Sequence, residues 1–291
     1  MNHWTFINAL VYFVAGILRK PYVVCPAGSL VIQGRSRTMK RLYNLIIGRN
    51  IIRHANSCIA ISTNEIGHFH SYGVSRGKIS HIPNAINPED FQENDDVVFR
   101  KKFNLSEAPF VLFMGRLNTI KGPDLLLHAF CRAEEEFKNF HLVFAGPDEG
   151  MRSELKRTVA DCGMNNRVHF IGYIEGVDKS HAYHAADLLV IPSRTEAMSI
   201  VALEAGITGT PVLLTDQCGF EDIARVGGGM IVPATVDGIQ KGLVEMLRDK
   251  NARVTMGIKL KEHVRANFTW DVIIARYRDL YNNLLHLTSH S

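Results

Sequence analysis

Asp187-Leu-Leu-Val-Ile-Pro192-Ser193-Arg194-Thr195-Glu196-Ala197-Met198-Ser199-Ile200-Val201-Ala202-Leu203-Glu204-Ala205-Gly206 runs from a strand through a turn into a helix. The apolar run up to Pro192 has no polar alternation, as expected of a parallel strand buried on both faces. Good helix formers follow and stop near Gly206 and Gly209. Glu196 therefore falls in the turn, and Glu204 at about the second helical turn. The open start of such a helix offers unpaired N–H groups and a partial positive charge, which suits a phosphate. Two carboxylates flanking it suit a ligand with hydroxyls on both sides of a diphosphate, the shape of a nucleotide-sugar.

The pattern repeats on either side. Strands are expected at Phe110–Met114, His141–Ala145, Val168–Ile171, Leu188–Ile191, Val212–Leu214 and Met230–Val232. Helices separate them near 122–137, 150–163, 178–186, 199–208 and 236–249. Strict alternation predicts a doubly wound α/β sheet whose ligands bind beyond the carboxyl ends of its strands. Arg116, Gly146, Tyr173 and Glu196 all lie just after strands. Upstream, strands are expected at Pro21–Cys25, Ser57–Ser62 and Lys78–Ile82, with helices over 5–18, 37–54 and 65–72, the last capped by Thr63 or Asn64. Residues 89–108 are polar and acidic in the middle and read as a linker, with Asp95-Asp96 a solvated charge pair. Helices 251–266 and 270–285 close the chain.

Several motifs together carry a resemblance to a family. Phe113-Met-Gly-Arg116-Leu-Asn-Thr-Ile-Lys121-Gly, Val143-Phe-Ala-Gly146-Pro-Asp, Val168-His-Phe-Ile-Gly172-Tyr173, Ala185-Ala-Asp187 and Glu196-x7-Glu204 followed by Gly209-Thr-Pro-Val occur in that order. The set resembles the retaining nucleotide-sugar glycosyltransferases of glycosyltransferase family 4 (glycosyl transferases group 1), over residues from about 58 to 291. The resemblance implies the GT-B fold: a partial N-terminal Rossmann-like domain (1–88, with 270–291 crossing back onto it), a linker (89–108) and a complete donor-binding domain (109–269).

It also implies roles. Arg116 and Lys121 would hold the diphosphate and stabilise the leaving group, Arg bidentately and Lys as a point charge. Glu196 would orient the donor sugar, and Glu204 would accept hydrogen bonds from the ribose. The backbone of Met198, Ser199 and Ile200 would face the diphosphate, and Gly146 and Tyr173 would line the nucleobase slot. Two positions depart from the family's pattern: Ala197 stands where glycine is common, and Ala27 where many relatives carry a histidine near the donor sugar. The implied reaction moves a sugar from a nucleoside diphosphate-sugar to a hydroxyl of a glycan or lipid-linked acceptor. Anomeric configuration would be retained and no metal or cofactor needed, in bacterial surface polysaccharide assembly. Two alternatives stay open: a non-catalytic nucleotide-sugar-binding remnant, and a GT-B sugar-nucleotide epimerase.

Composition bounds the rest. The 291 residues are 46% hydrophobic and 21% charged, as in globular domains. A net charge of +4 reads as mild and spread out, too weak for nucleic-acid binding. Five isolated cysteines argue against a disulfide framework and for a reducing, cytoplasmic setting. His181 and His184 have no partner spaced for a metal, Gly227-Gly-Gly229 precedes a strand and reads as a turn, and no Walker loop or Gly-x-Ser-x-Gly occurs. The apolar stretch 5–18 is too short to span a bilayer and is expected to be a helix buried against a sheet. Arg35, Arg37, Lys40 and Arg41 could meet a lipid diphosphate or an anionic membrane, a peripheral contact at the cytoplasmic face. The family's opening strand and glycine-rich turn have no counterpart, so the first domain is expected to be shortened, leaving one sheet edge and one helix face uncovered.

Overall fold

A computed structural model describes residues 3–32 and 36–288. The expected basic position Arg35 lies outside them. The chain divides into two compact units, residues 1–84 with 271–291, and residues 85–270.

The first unit is built on a three-stranded parallel sheet in the order β1 (Val23–Val24), β2 (Ser57–Ala60), β3 (Ile79–His81). Its core gathers Leu30, Ile52, Cys58, Ala60, Phe69 and Val74. The helix Thr63–Ser71 starts after Ser62, one residue before the expected caps. The buried Glu65 carboxylate, in the helix's first turn, accepts from the N–H of Ile61 (2.9 Å) and of Gly28 (2.6 Å), tying the helix start to the end of β2 and to the loop after β1. Helix 37–54 is a composite: its middle, Asn44–Gly48, widens into a π turn.

The expectation of a buried N-terminal helix is corrected. Phe6–Ile17 is helical, but only Ala9 on it is buried, while Phe6 is 82% and Ile17 80% exposed. An apolar composition favours burial, yet burial needs a neighbouring surface, and this helix meets one along a narrow strip. Its packing runs through Tyr12, whose ring stacks on His54 and whose hydroxyl lies 2.8 Å from His54 Nδ1.

The second unit holds six parallel strands: β4 (Phe110–Met114), β5 (His141–Ala145), β6 (Val168–Gly172), β7 (Leu188–Ile191), β8 (Val212–Thr215) and β9 (Gly229–Val232). Their order across the sheet is β6-β5-β4-β7-β8-β9. The strands β4, β5, β7 and β8 are buried almost throughout, which explains their uninterrupted apolar runs. Leu126, Leu127 and Phe130 of helix Pro123–Arg132 pack with Val111, Phe113, Leu142 and Phe144 into the main core.

Residues 89–108 are more ordered than a linker and lie within this unit. They carry a short turn of helix, Pro88–Phe91, and an α-helix, Asp96–Phe103. The two aspartates have separate jobs: Asp95 caps the helix by accepting from Val98 N–H at 2.9 Å, and Asp96 pairs with Arg100 at 2.6 Å. The buried Arg100 guanidinium also donates to the carbonyls of Ser106 and Ala108, fixing the entry into β4. The two ends of the unit meet where Ile86 N–H donates to Phe268 and Trp270 N–H donates to Ile86.

Candidate active site

The chain lays down β4, steps outward through β5 to β6, then returns to place β7 on the other side of β4. Between β4 and β7 the strand order reverses, so the loops that follow them diverge around a crevice, where doubly wound sheets bind ligands. The loop after β4 carries Arg116 and Lys121; the loop after β7 carries Glu196, Met198 and Ser199.

These two loops are bound together. Gly122 has φ +68°, and a Cβ there would lie 2.2 Å from the Pro192 carbonyl oxygen, so only glycine lets the loops approach this closely. Arg194 N–H donates to the Ile120 carbonyl at 2.8 Å. Its guanidinium grips Asp124 with two bonds, at 2.9 and 2.5 Å, and reaches the Thr119 carbonyl at 2.7 Å. Burial alone would raise the Asp124 carboxyl, but the Arg194 hydrogen bonds and charge outweigh it and hold it below the usual carboxylate range.

In this frame Lys121 Nζ stands 3.0 Å from Glu196 Oε1. Ser193 Oγ donates to the other oxygen at 3.1 Å, and Glu196 N–H donates to the Gln217 carbonyl. The catalytic candidates Lys121 and Glu196 are thus brought into direct contact, with most of both side chains shielded from solvent. Arg116 is on the same loop but more exposed, held by Glu149 at 3.0 Å. Asn118 donates to the same carboxylate at 2.6 Å, and these bonds, Asn118 first and Arg116 second, lower the Glu149 carboxyl.

Helix Ile200–Thr208 begins beside this cluster. Met198 and Ser199 are buried at its start, Ile200 is half exposed, and the Ser199 hydroxyl has no hydrogen-bond partner. An orphaned buried hydroxyl at a helix N-terminus is the kind of group a bound anion satisfies.

Glu204 is 6% exposed. Its carboxylate takes Lys179 Nζ at 2.5 Å on one oxygen and the Tyr183 hydroxyl at 2.6 Å on the other. Burial first, then the neighbouring carboxylate, pushes the Tyr183 phenol well above its ordinary value, so it stays a donor. Glu204, Lys179 and Ile200 line a cavity of about 540 Å³ with Gly176, Val177 and Asn87. Each oxygen of a carboxylate accepts more than one bond, so Glu204 retains acceptor capacity toward that cavity.

Two expected residues stand apart. Tyr173 is 65% exposed and donates to Glu175 at 2.9 Å. Gly146 packs so close to the β4 loop that a Cβ would lie 1.9 Å from the Gly115 carbonyl oxygen. Its role here is to let two strand ends converge, and neither residue lines the cavity bearing Glu204. Sequence reasoning missed Lys179, Tyr183, Glu149 and the Arg194–Asp124 staple. Lys179 and Tyr183 lie four apart on helix Gly176–Ala185, a spacing that puts them on one face, but nothing local points that face at Glu204. Among the described residues no three His, Cys, Asp or Glu side chains gather as a metal would require.

Residues 95–263, more than half of the chain, match the family described as glycosyl transferases group 1. An uncharacterized glycosyltransferase of Methanocaldococcus jannaschii is 31% identical over 217 residues, covering 72% of this chain and 55% of that protein. A GDP-mannose-dependent alpha-(1-6)-phosphatidylinositol monomannoside mannosyltransferase of Mycobacterium tuberculosis is 27% identical over 271 residues, covering 85% and 70%. The chain therefore spans little more than half the length of the first of these relatives. Among solved structures, HepE of Anabaena in complex with UDP and glucose superposes with a TM-score of 0.81 at 19% identity, covering 96% of this chain and 75% of that one. That likeness is one of fold, the α/β fold with parallel sheets of the GT-B glycosyltransferases. By that sequence match, the chain belongs to the glycosyl transferases group 1 family.

Proposed function

We propose that this chain binds a nucleoside diphosphate-sugar at the β4–β7 crevice and transfers the sugar to a hydroxyl of a glycan or lipid-linked acceptor. The reading places it in glycosyltransferase family 4, with retention of anomeric configuration, no metal requirement, and a part in bacterial surface polysaccharide assembly. The observation that carries it is the Lys121–Glu196 contact at 3.0 Å beside the buried, unpartnered Ser199 hydroxyl. A diphosphate seated at the helix start would draw Lys121 and Arg116 onto its oxygens. Those cations would stabilise the negative charge that grows as the bond from sugar carbon to diphosphate oxygen breaks. Glu196, relieved of Lys121, would accept from the donor sugar's hydroxyls. Glu204 would receive the ribose from the side facing its cavity, with Lys179 and Tyr183 holding its carboxylate in place.

The mannosyltransferase relative is named for GDP-mannose and HepE was crystallised with UDP, so both nucleotides are candidates for the donor. The test is titration calorimetry with UDP and GDP, followed by assay of UDP-glucose and GDP-mannose turnover with and without a chelator. Binding lost in Lys121→Ala together with chelator-insensitive turnover is the expected result. Binding without turnover would turn the reading to a nucleotide-sugar-binding protein. No binding of either nucleotide would overturn the donor site.

A further inference from the structure

The turn that carries Glu196 is tied at both ends to β8 and the loop after it. Thr215, the last residue of β8, is buried, and its hydroxyl donates to the Ser193 carbonyl at 2.5 Å. Glu196 N–H donates to the Gln217 carbonyl at 2.9 Å, and Cys218 N–H folds back onto the Thr215 carbonyl at 3.1 Å. Cys218 Sγ lies 3.3 Å from the Thr215 hydroxyl oxygen. Burial pushes that thiol up to about 11, so near neutral pH it is an uncharged neighbour that puts no second anion beside Glu196.

Ser193 passes the restraint on. It is fully buried, its carbonyl is held by Thr215, and its own hydroxyl donates to Glu196 Oε2 at 3.1 Å. Glu196 thus has two partners of different kinds. Lys121 sits on Oε1 as a flexible point charge. Ser193 sits on Oε2 as a neutral donor whose backbone is fixed on the side away from the carboxylate. A turn that needed only closing would be served by the Thr215 hydroxyl; the serine hydroxyl is spent on a side chain of the site instead.

We propose that Ser193 and Thr215 are positioning residues for Glu196, keeping its carboxylate aimed at the donor sugar once a diphosphate has drawn Lys121 away. The inference rests on the reading of Glu196 as the group that accepts from the donor sugar's hydroxyls. Without Lys121 and Ser193, a glutamate side chain would spread over several rotamers and lose that freedom when the sugar binds. Fixing Oε2 by a buried hydroxyl removes much of the spread beforehand, so less order is lost on binding. Oε1, the oxygen that Lys121 gives up, becomes the acceptor for a sugar hydroxyl. A hydroxyl suits this task better than a second cation, because it holds the carboxylate without neutralising the charge offered to the sugar.

The test sets UDP beside UDP-glucose, and GDP beside GDP-mannose, in calorimetric titrations of the whole chain, with turnover of the two donors measured on the same samples. Ser193→Ala and Thr215→Val are expected to leave affinity for the bare nucleotide unchanged, because neither side chain meets the diphosphate. Each is expected to lower affinity for the matching nucleotide-sugar, or its kcat, by about tenfold, the worth of a hydrogen bond to a charged group. Thr215→Ser keeps the hydroxyl and should restore the parent value. In a Glu196→Ala background, Ser193→Ala should have no further effect, since the group it positions is gone. Unchanged affinity and turnover with the nucleotide-sugar overturns the proposal and leaves the donor site standing. So does an equal loss for nucleotide and nucleotide-sugar, or an effect that persists in the Glu196→Ala background, since either makes the two residues structural only. A parent chain that binds no nucleotide overturns the donor-site reading and this inference with it.

Discussion

Lys121 Nζ lies 3.0 Å from Glu196 Oε1, across the crevice between the two central strands of the second unit. The two residues are 75 positions apart, and their loops meet because Gly122 gives way to the Pro192 carbonyl and Arg194 clamps Asp124. On the proposed reading a bound diphosphate opens this pair, and this sets the first expectation. Lys121→Ala should weaken nucleotide binding by about ten- to a hundredfold, the worth of one hydrogen bond to a charged group. Lys121→Ala combined with Glu196→Gln should lose less than the two single effects added together. Calorimetric titration of all four proteins in a double-mutant cycle reads the coupling.

Arg116 should behave differently. Its bond to Glu149 is a solvent-exposed ion pair, which contributes little to stability. Arg116→Ala is expected to leave the unfolding temperature unchanged while reducing nucleotide affinity. A fall in unfolding temperature with affinity intact would make it a structural residue only.

Glu204 combines a site position with a structural one. Removing it strands Lys179 and the fully buried Tyr183 hydroxyl, so Glu204→Ala is expected to cost about 3 kcal/mol of stability, as for a broken buried ion pair. Glu204→Gln, which can still accept from Tyr183, should keep more of the stability. Urea unfolding of the three proteins ranks them.

The Arg194–Asp124 staple gives a pH dependence. Asp124 has a folded-state pKa below its ordinary 3.8, so its contribution is fully present above that value. It is lost as pH falls through the depressed folded value, where the carboxyl takes up a proton in both states. Asp124→Asn should therefore be less stable than the parent at pH 7, by about 1 kcal/mol for this partly exposed pair. The gap should close in acid. Paired denaturation curves at pH 7 and below pH 3.8 measure it.

Gly122→Ala tests the loop approach. The added Cβ would meet backbone 2.2 Å away, from a left-handed φ that alanine disfavours. A loss of about 2 kcal/mol or more is expected, together with weakened nucleotide binding as Lys121 is displaced. Ala27 offers the reverse case in the first unit. It holds φ +48°, so Ala27→Gly should stabilise by about 1 kcal/mol through relief of left-handed strain.

The sequence by itself determined the parallel architecture and the ends of the strands where chemistry gathers. A strand buried on both faces must be written as an unbroken apolar run, and the polar residues that interrupt the pattern, Arg116, Lys121 and Glu196, then fall in the loops after β4 and β7. Only the tertiary structure decided who meets whom. Arg194 and Asp124 are 70 residues apart, Arg116 and Glu149 33, and Lys179 and Glu204 25, distances over which no local pattern carries information. The same holds for exposure. An apolar composition states that helix Phe6–Ile17 avoids water, but whether it does so depends on a neighbouring surface, which is a property of the fold and not of the helix.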